Sequence, residues 1–190
     1  MSTYPVVYQQ TPAVKRSRLT IFFRGIMSIP LEIWSLFYVL AAGVVVFLAW
    51  FAILFTGRYP AGMYGFVAGY TRFATRLAAY AYLVTDAYPP FDGGEHPAYP
   101  VTVAIAPPPL RLSRVTTFFR YPLLIPVAVI QFAFVIWLYL LAIALWFVGV
   151  ITGKTSPGLT GAALFPLAYL TRALAYSNLL TDRWPPLDDR

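Results

Sequence analysis

Two long apolar runs constrain this chain more than any other feature. The first extends from Pro30 to Thr56, reads PLEIWSLFYVLAAGVVVFLAWFAILFT and contains one carboxylate, Glu32. The second extends from Leu123 to Thr152 and reads LLIPVAVIQFAFVIWLYLLAIALWFVGVIT. A helix rises about 1.5 Å per residue, so each run is long enough to cross a hydrocarbon core of roughly 30 Å. The sequence therefore predicts an integral membrane protein built on two transmembrane helices.

The composition agrees with a lipid environment. Hydrophobic residues make up 59% of the chain and charged residues 11%, which lies outside the range of soluble globular domains. The chain has no cysteine, which excludes disulfides, thiolate nucleophiles and cysteine-ligated metals. The net charge is +7, but the basic residues flank the apolar runs, where anionic lipid headgroups explain them. We expect no nucleic-acid partner and no cofactor.

The chain also contains an internal repeat. The segment SRLTIFFR at 17–24 recurs 96 residues later as SRVTTFFR, and LVTDAYPP at 83–90 recurs in the same register as LLTDRWPP. So many matches in one register indicate a tandem duplication. The sequence predicts two membrane repeats, 1–95 and 96–190.

Each repeat opens with a short alternating segment, YPVVYQQ from Tyr4 and YPVTVAI from Tyr99. Proline ends each segment, at Pro12 in the first copy and from Pro107 in the second. A short segment in which residues alternate in polarity and which ends at a proline is typical of a strand. A lone strand leaves its backbone groups unpaired, so we expect the strands of the two copies, or of partner chains, to pair outside the membrane.

A short amphipathic helix is predicted before each apolar run, with Ser17 and Ser113 as N-caps. Its basic and aromatic residues suit the lipid headgroup layer. The alternative is that this segment forms the first turns of the membrane helix, but Pro30 and Pro126 favour a kink or break. In the first copy, apolar residues follow i, i+3, i+4, i+7 spacing at Leu19, Phe22, Phe23 and Ile26.

A less apolar helix is predicted to return after each run, at 63–85 and 159–181. Pro166 predicts a kink in the second return helix. The first carries small residues that would let another helix approach closely: Gly62, Gly65 and Gly69.

The distribution of positive charges suggests how the chain is oriented relative to the membrane. If each repeat formed a hairpin, both basic clusters and both termini would lie in the cytoplasm, with four membrane-embedded segments and both halves the same way up. The rival interpretation is that each repeat crosses the membrane only once. It arises because Arg72, Arg76 and Arg172 fall inside the return helices, where charged side chains are costly at membrane depth. The basic residues that precede the two runs are Lys15, Arg16, Arg18, Arg24, Arg111, Arg114 and Arg120.

Charged residues near the membrane runs are candidates for contacts between helices, with partners or with lipid. Asp86 and Asp182 each follow a return-helix arginine by ten residues, so they either form ion pairs between helices or halves, or end the helix at the interface. Asp92, Glu95 and His96 are interpreted as a solvated linker rather than a metal or acid–base site. The candidate interface or lipid-contact residues are Arg18, Arg24, Arg76, Asp86, Arg114, Arg120, Arg172 and Asp182.

The combination of SRLTIFFR, WFAILFTGRYP and RLAAYAYLVTDAYPPF resembles a bacterial, often actinobacterial, family of small membrane proteins with a duplicated domain of unknown function. The resemblance implies a bacterial inner-membrane location and a tandem architecture, and it brings no catalytic residues. We expect a non-enzymatic scaffold or accessory subunit that contacts anionic lipids and a membrane-protein partner or a second copy. The alternative is a carrier or channel component for lipids or small molecules, and a membrane enzyme ranks third.

Overall fold

The computed structural model of the chain describes residues 4–11, 17–154 and 156–187, so Pro12, Lys15 and Arg16 lie outside the described residues. Both repeats follow the predicted order of strand, short helix, long helix and return helix. The first repeat contains β1 (Val6–Gln10), α1 (Arg18–Phe22), α2 (Arg24–Thr56) and α3 (Ala61–Ala81). The second contains β2 (Val101–Ile105), α4 (Arg114–Phe118), α5 (Arg120–Thr152), α6 (Pro157–Ala162) and α7 (Leu164–Ser177).

The helices α2 and α5 are long and apolar enough to cross a membrane. Each has 33 residues and is therefore about 50 Å long. Of the predicted kink or break at the prolines, the break is wrong, because Pro30 and Pro126 lie inside these continuous helices. A proline removes only one helical hydrogen bond, whereas the chain turns earlier, at Phe23 and Phe119, which separate each short helix from the long one.

The short helices expose the apolar residues that the sequence pattern singled out. Leu19 and Phe22 are 70% and 57% exposed, while Ile21 on the opposite side is fully buried. The predicted N-cap is confirmed at Ser113, whose hydroxyl accepts a hydrogen bond from the Thr116 N–H at 3.3 Å. Ser17 also occupies the N-cap position of its helix, as predicted, but its side chain makes no capping hydrogen bond.

The two repeats run in opposite directions. Trp50, near the end of α2, donates a hydrogen bond to the Thr117 carbonyl just before α5 (2.9 Å), and Ile21, just before α2, packs on Gly149 near the end of α5. The start of each long helix therefore lies beside the end of the other. The expectation that both halves sit the same way up is wrong, since the basic clusters occupy opposite ends of the molecule. We call these the Arg24 end and the Arg120 end.

The strands of the two copies pair with each other, as predicted. β1 and β2 form an antiparallel two-stranded sheet in which Tyr8 lies opposite Val103. The inward face of the sheet packs on α3 and α7, where it forms the core together with both return helices. The helix α2 packs on a different side of α3, through Tyr38 against Phe73. The return helices are thus enclosed between the sheet and the long helices.

Small residues are predicted to let another helix approach closely; one of the three glycines does have a close backbone neighbour, but it belongs to the linker. Gly69 lies against Gly93 of the linker and the Tyr38 hydroxyl. The prediction is wrong for Gly62 and Gly65, where an added methyl group would meet open space among the described residues. The predicted kink in the second return helix occurs as a break at Ala163, three residues before Pro166.

Candidate functional site

Arg24 joins the start of α2 to the end of α3. Its side chain is buried and donates hydrogen bonds to the Thr85 carbonyl at 2.8 Å and to the Asp86 carboxylate. The guanidinium also lies 4.0 Å from the centre of the Tyr80 ring. One cation therefore holds a carboxylate, a carbonyl and an aromatic face, which fixes the two helices of the hairpin together.

The second repeat builds the same arrangement around Arg120. Its guanidinium donates to Asp182 at 3.0 Å and lies 4.0 Å from the centre of the Tyr176 ring. Here the carboxylate also accepts a hydrogen bond from the Ser113 N–H at 2.6 Å, so it ties α4 into the same cluster. We call these two arrangements the arginine clamps. They lie at opposite ends of the molecule.

Each clamp depends on an unusual backbone turn. After the last turn of α3, Leu83 adopts φ of 59°, and Leu179 adopts φ of 62° at the equivalent position. The Val84 N–H then bonds back to the Ala79 carbonyl at 2.9 Å, as in a helix C-terminal motif that normally uses glycine. A leucine in this conformation costs about 1–2 kcal/mol. In return, the turn brings the following Thr-Asp pair within reach of the clamp arginine.

The return-helix arginines do not pair with the aspartates that follow them. Arg76 is buried, donates to the Gly94 carbonyl at 2.7 Å and lies 5.9 Å from the centre of the Tyr99 ring. Arg172 takes the equivalent place, 5.9 Å from the Tyr4 ring. Both therefore contact the segments that carry the two strands. The predicted ion pairs between helices exist, but they join Asp86 and Asp182 to the clamp arginines of their own repeats.

Arg18 and Arg114 remain exposed and lie at the junction between repeats. Arg114 lies beside Gly57, which ends α2, and Arg18 lies beside Gly153, which ends α5. Both glycines have positive φ and close the helices with a left-handed turn. A cation near the C-terminus of a helix interacts favourably with the helix dipole. Each repeat thus supplies a cation to the long helix of the other.

The linker between repeats carries an exposed hydrogen-bonded pair. His96 Nε2 lies 2.7 Å from Asp92 Oδ1, and the Gly94 N–H donates to the same oxygen at 2.8 Å. These hydrogen bonds, the one with His96 foremost, lower the pKa of Asp92 below its ordinary value. Glu95 pairs instead with Arg72 at 2.8 Å. Within residues 4–11, 17–154 and 156–187, no three potential metal ligands cluster.

A cavity of about 640 Å³ lies between the start of α2 and the end of α5. Its walls are mainly apolar, with Tyr139 and Trp146 on the α5 side. Glu32 and Ser28 supply polar groups, and the Ser28 hydroxyl donates to Glu32 Oε1 at 2.7 Å. A carboxylate in an apolar cleft can orient an amphipathic molecule that carries a donor or a positive charge.

Sequence reasoning missed the aromatic and backbone parts of the clamps. Tyr80 and Tyr176 were visible only as matching positions of the repeat, and Leu83 and Leu179 gave no sign of a left-handed turn. The available signal was the register itself: Arg24, Tyr80 and Asp86 all recur 96 residues on as the same residue types. That shared recurrence could have grouped them as one site.

The fold and its sites define a duplicated helical hairpin protein in which a buried arginine of each repeat pairs with an aspartate of the same repeat. The chain belongs to the family described as a domain of unknown function, DUF4389, whose model matches residues 18–92 and 114–187. These two matches confirm the duplication and cover more than three quarters of the chain. Neither a curated protein nor a solved structure matches it.

Proposed function

We propose that the chain is a non-enzymatic membrane scaffold or accessory subunit of a larger membrane assembly. The observation that carries this proposal is the separation of charged and apolar groups. The clamp cations are enclosed and serve packing, whereas α2 and α5 present rows of exposed apolar side chains, such as Leu40 at 61% and Phe132 at 68%. Exposed apolar surface of this extent favours lipid and other membrane proteins as its neighbours.

The partners in this proposal are anionic lipids and a second membrane protein, or another copy of the chain. Arg18 and Arg114 are exposed cations beside exposed aromatic residues, a combination that suits headgroups. The location proposed is the cytoplasmic membrane of a bacterium, with both chain ends on the cytoplasmic side. Residues near the two ends of the chain lie next to each other, since the Tyr4 hydroxyl donates to the Arg183 carbonyl at 3.2 Å. This proximity supports placing both ends on the same side of the membrane.

The test is native mass spectrometry of the protein extracted with its surrounding lipid in detergent-free polymer discs. We expect a protein partner, or a second copy, in fixed stoichiometry. Leu40→Ala and Ile136→Ala form a matched pair at equivalent positions of the two repeats, and loss of the partner from one of them locates the contact. A lone chain with bulk lipid only would contradict the proposal.

The cavity beside Glu32 favours a second candidate, a component that handles lipids or small molecules. The second repeat has Ala128 at the position equivalent to Glu32, so the carboxylate occurs once in the pseudo-symmetric molecule. If the cavity holds a cargo, Glu32→Gln should lose an enriched lipid or metabolite in the same discs. The matched control Ala128→Gln should retain it.

A further inference from the structure

Each strand runs along the molecule, from the Arg24 end toward the Arg120 end or in the reverse direction. β2 leaves the Arg24 end, where the Tyr99 hydroxyl donates to the Ala87 carbonyl at 2.8 Å. It reaches the Arg120 end, where the Ala106 carbonyl accepts a hydrogen bond from the Tyr64 hydroxyl at 2.7 Å. β1 runs the opposite way beside it. The sheet therefore lies alongside the return helices rather than beyond their ends.

This placement is incompatible with long helices that stand upright in a bilayer. Upright helices would carry both strands across the hydrocarbon layer as an open ribbon, in which the outer edge of each strand pairs with no other strand among the described residues. Where backbone is exposed to lipid, only helices and closed barrels satisfy its hydrogen-bonding groups. The exposed side chains of Gln9, Asp92 and Glu95 would also lie at membrane depth.

The charge distribution disagrees with an upright orientation as well. The Arg24 and Arg120 ends are separated by the length of a 33-residue helix, about 50 Å. Upright helices would therefore place one basic cluster on each side of the membrane. Positive charges near membrane helices strongly favour one side, the cytoplasm.

A flat orientation keeps the strands out of the hydrocarbon layer and allows both basic ends to lie on one side of the membrane. The exposed rows of α2 and α5 face away from the return helices, while the sheet and linker occupy another side of α3 and α7. A helix is about 10 Å thick, comparable with the hydrocarbon of one leaflet, roughly 15 Å. Resting on the proposed membrane location, we infer that α2 and α5 lie in the plane of one leaflet and that the sheet, the linker and both basic ends face the same aqueous side.

Single cysteines can test this orientation, because the natural chain contains none. Arg58→Cys reports on the Arg120 end, Lys154→Cys on the Arg24 end and Gln9→Cys on the sheet, all at exposed positions. Phe37→Cys, on the exposed apolar row of α2, is the matched control. Each variant is labelled with a membrane-impermeant maleimide in spheroplasts and in inside-out vesicles of a bacterial expression host.

We expect the first three cysteines to be labelled from one common side and Phe37→Cys to be labelled only after detergent is added. Labelling of Arg58→Cys and Lys154→Cys from opposite sides, or protection of Gln9→Cys from both sides, would overturn the inference. Glu95→Cys repeats the sheet-side test on the linker in case Gln9→Cys does not fold. Release of the wild-type chain from membranes by alkaline carbonate, with Phe37→Cys labelled without detergent, would instead refute the membrane location itself.

Discussion

The hydroxyl groups of Thr75 and Thr171 lie 3.2 Å apart, although 96 residues separate them along the chain. This separation equals the period of the internal repeat. Because the repeats also run in opposite directions, a contact between equivalent residues places a pseudo-twofold axis between them. The helices α3 and α7 therefore meet on that axis, and the two halves associate as the protomers of a symmetric dimer do.

A disulfide should form across the axis in the double variant Thr75→Cys/Thr171→Cys. The hydroxyls are already in contact, and a disulfide needs the two sulfurs about 2.05 Å apart. After oxidation and proteolytic cleavage in the linker, we expect the halves to separate on a gel only with reductant. The two single variants are the controls. Cross-links exclusively between chains would contradict the antiparallel arrangement.

Removing a clamp arginine should destabilise the protein strongly. Arg24→Met leaves the Asp86 carboxylate without its buried partner, and such a change costs about 3–5 kcal/mol. Arg120→Met should behave alike, since its guanidinium is equally enclosed. The effect is measured as the change in the free energy of unfolding in detergent micelles. Arg58→Met, at an exposed cation, should stay close to wild type, and an equal loss there would argue against a clamp.

The sequence predicted the elements of each repeat well, because periodicity and proline punctuation are local signals. The relative direction of the repeats could not be predicted that way. A duplicated sequence with similar flanking charges is equally compatible with parallel or opposed halves, and the choice depends on contacts such as Trp50 with Thr117. The clamps could be predicted in part: an ion pair between helices is expected at Asp86 and is confirmed, but nothing in the local sequence identified Arg24 as the partner.

Gly93 should tolerate no side chain. A methyl group added there would lie 2.3 Å from the Gly69 Cα, and backbone cannot move aside as a flexible side chain can. We expect Gly93→Ala to lower the free energy of unfolding by roughly 1–3 kcal/mol, the usual range for overpacking. Gly65→Ala is the control, because open space surrounds it inside α3 and alanine favours a helix by about 1 kcal/mol. The midpoint temperature of thermal unfolding should fall for Gly93→Ala and rise for Gly65→Ala.

The Asp92–His96 pair should contribute to stability in a defined pH range. The pKa of Asp92 is lowered in the folded protein, foremost by the hydrogen bond with His96. A depressed carboxyl pKa stabilises the fold above the unfolded value of about 3.9, and that stabilisation disappears as the pH falls through the folded value. We expect His96→Ala to raise the pKa of Asp92 toward its ordinary value in a carbon-detected NMR titration. An unchanged pKa would remove His96 as the cause.

The reciprocal placement of Arg18 and Arg114 has a consequence for how the duplication arose. Each long helix ends at a glycine beside a cation that belongs to the other copy, so an isolated copy would leave its own helix terminus without that charge. Two separate single-copy chains would restore both contacts by associating around a true twofold axis. The fused chain therefore has the internal symmetry of a homodimer without its identical halves, which differ at positions such as Glu32 and Ala128.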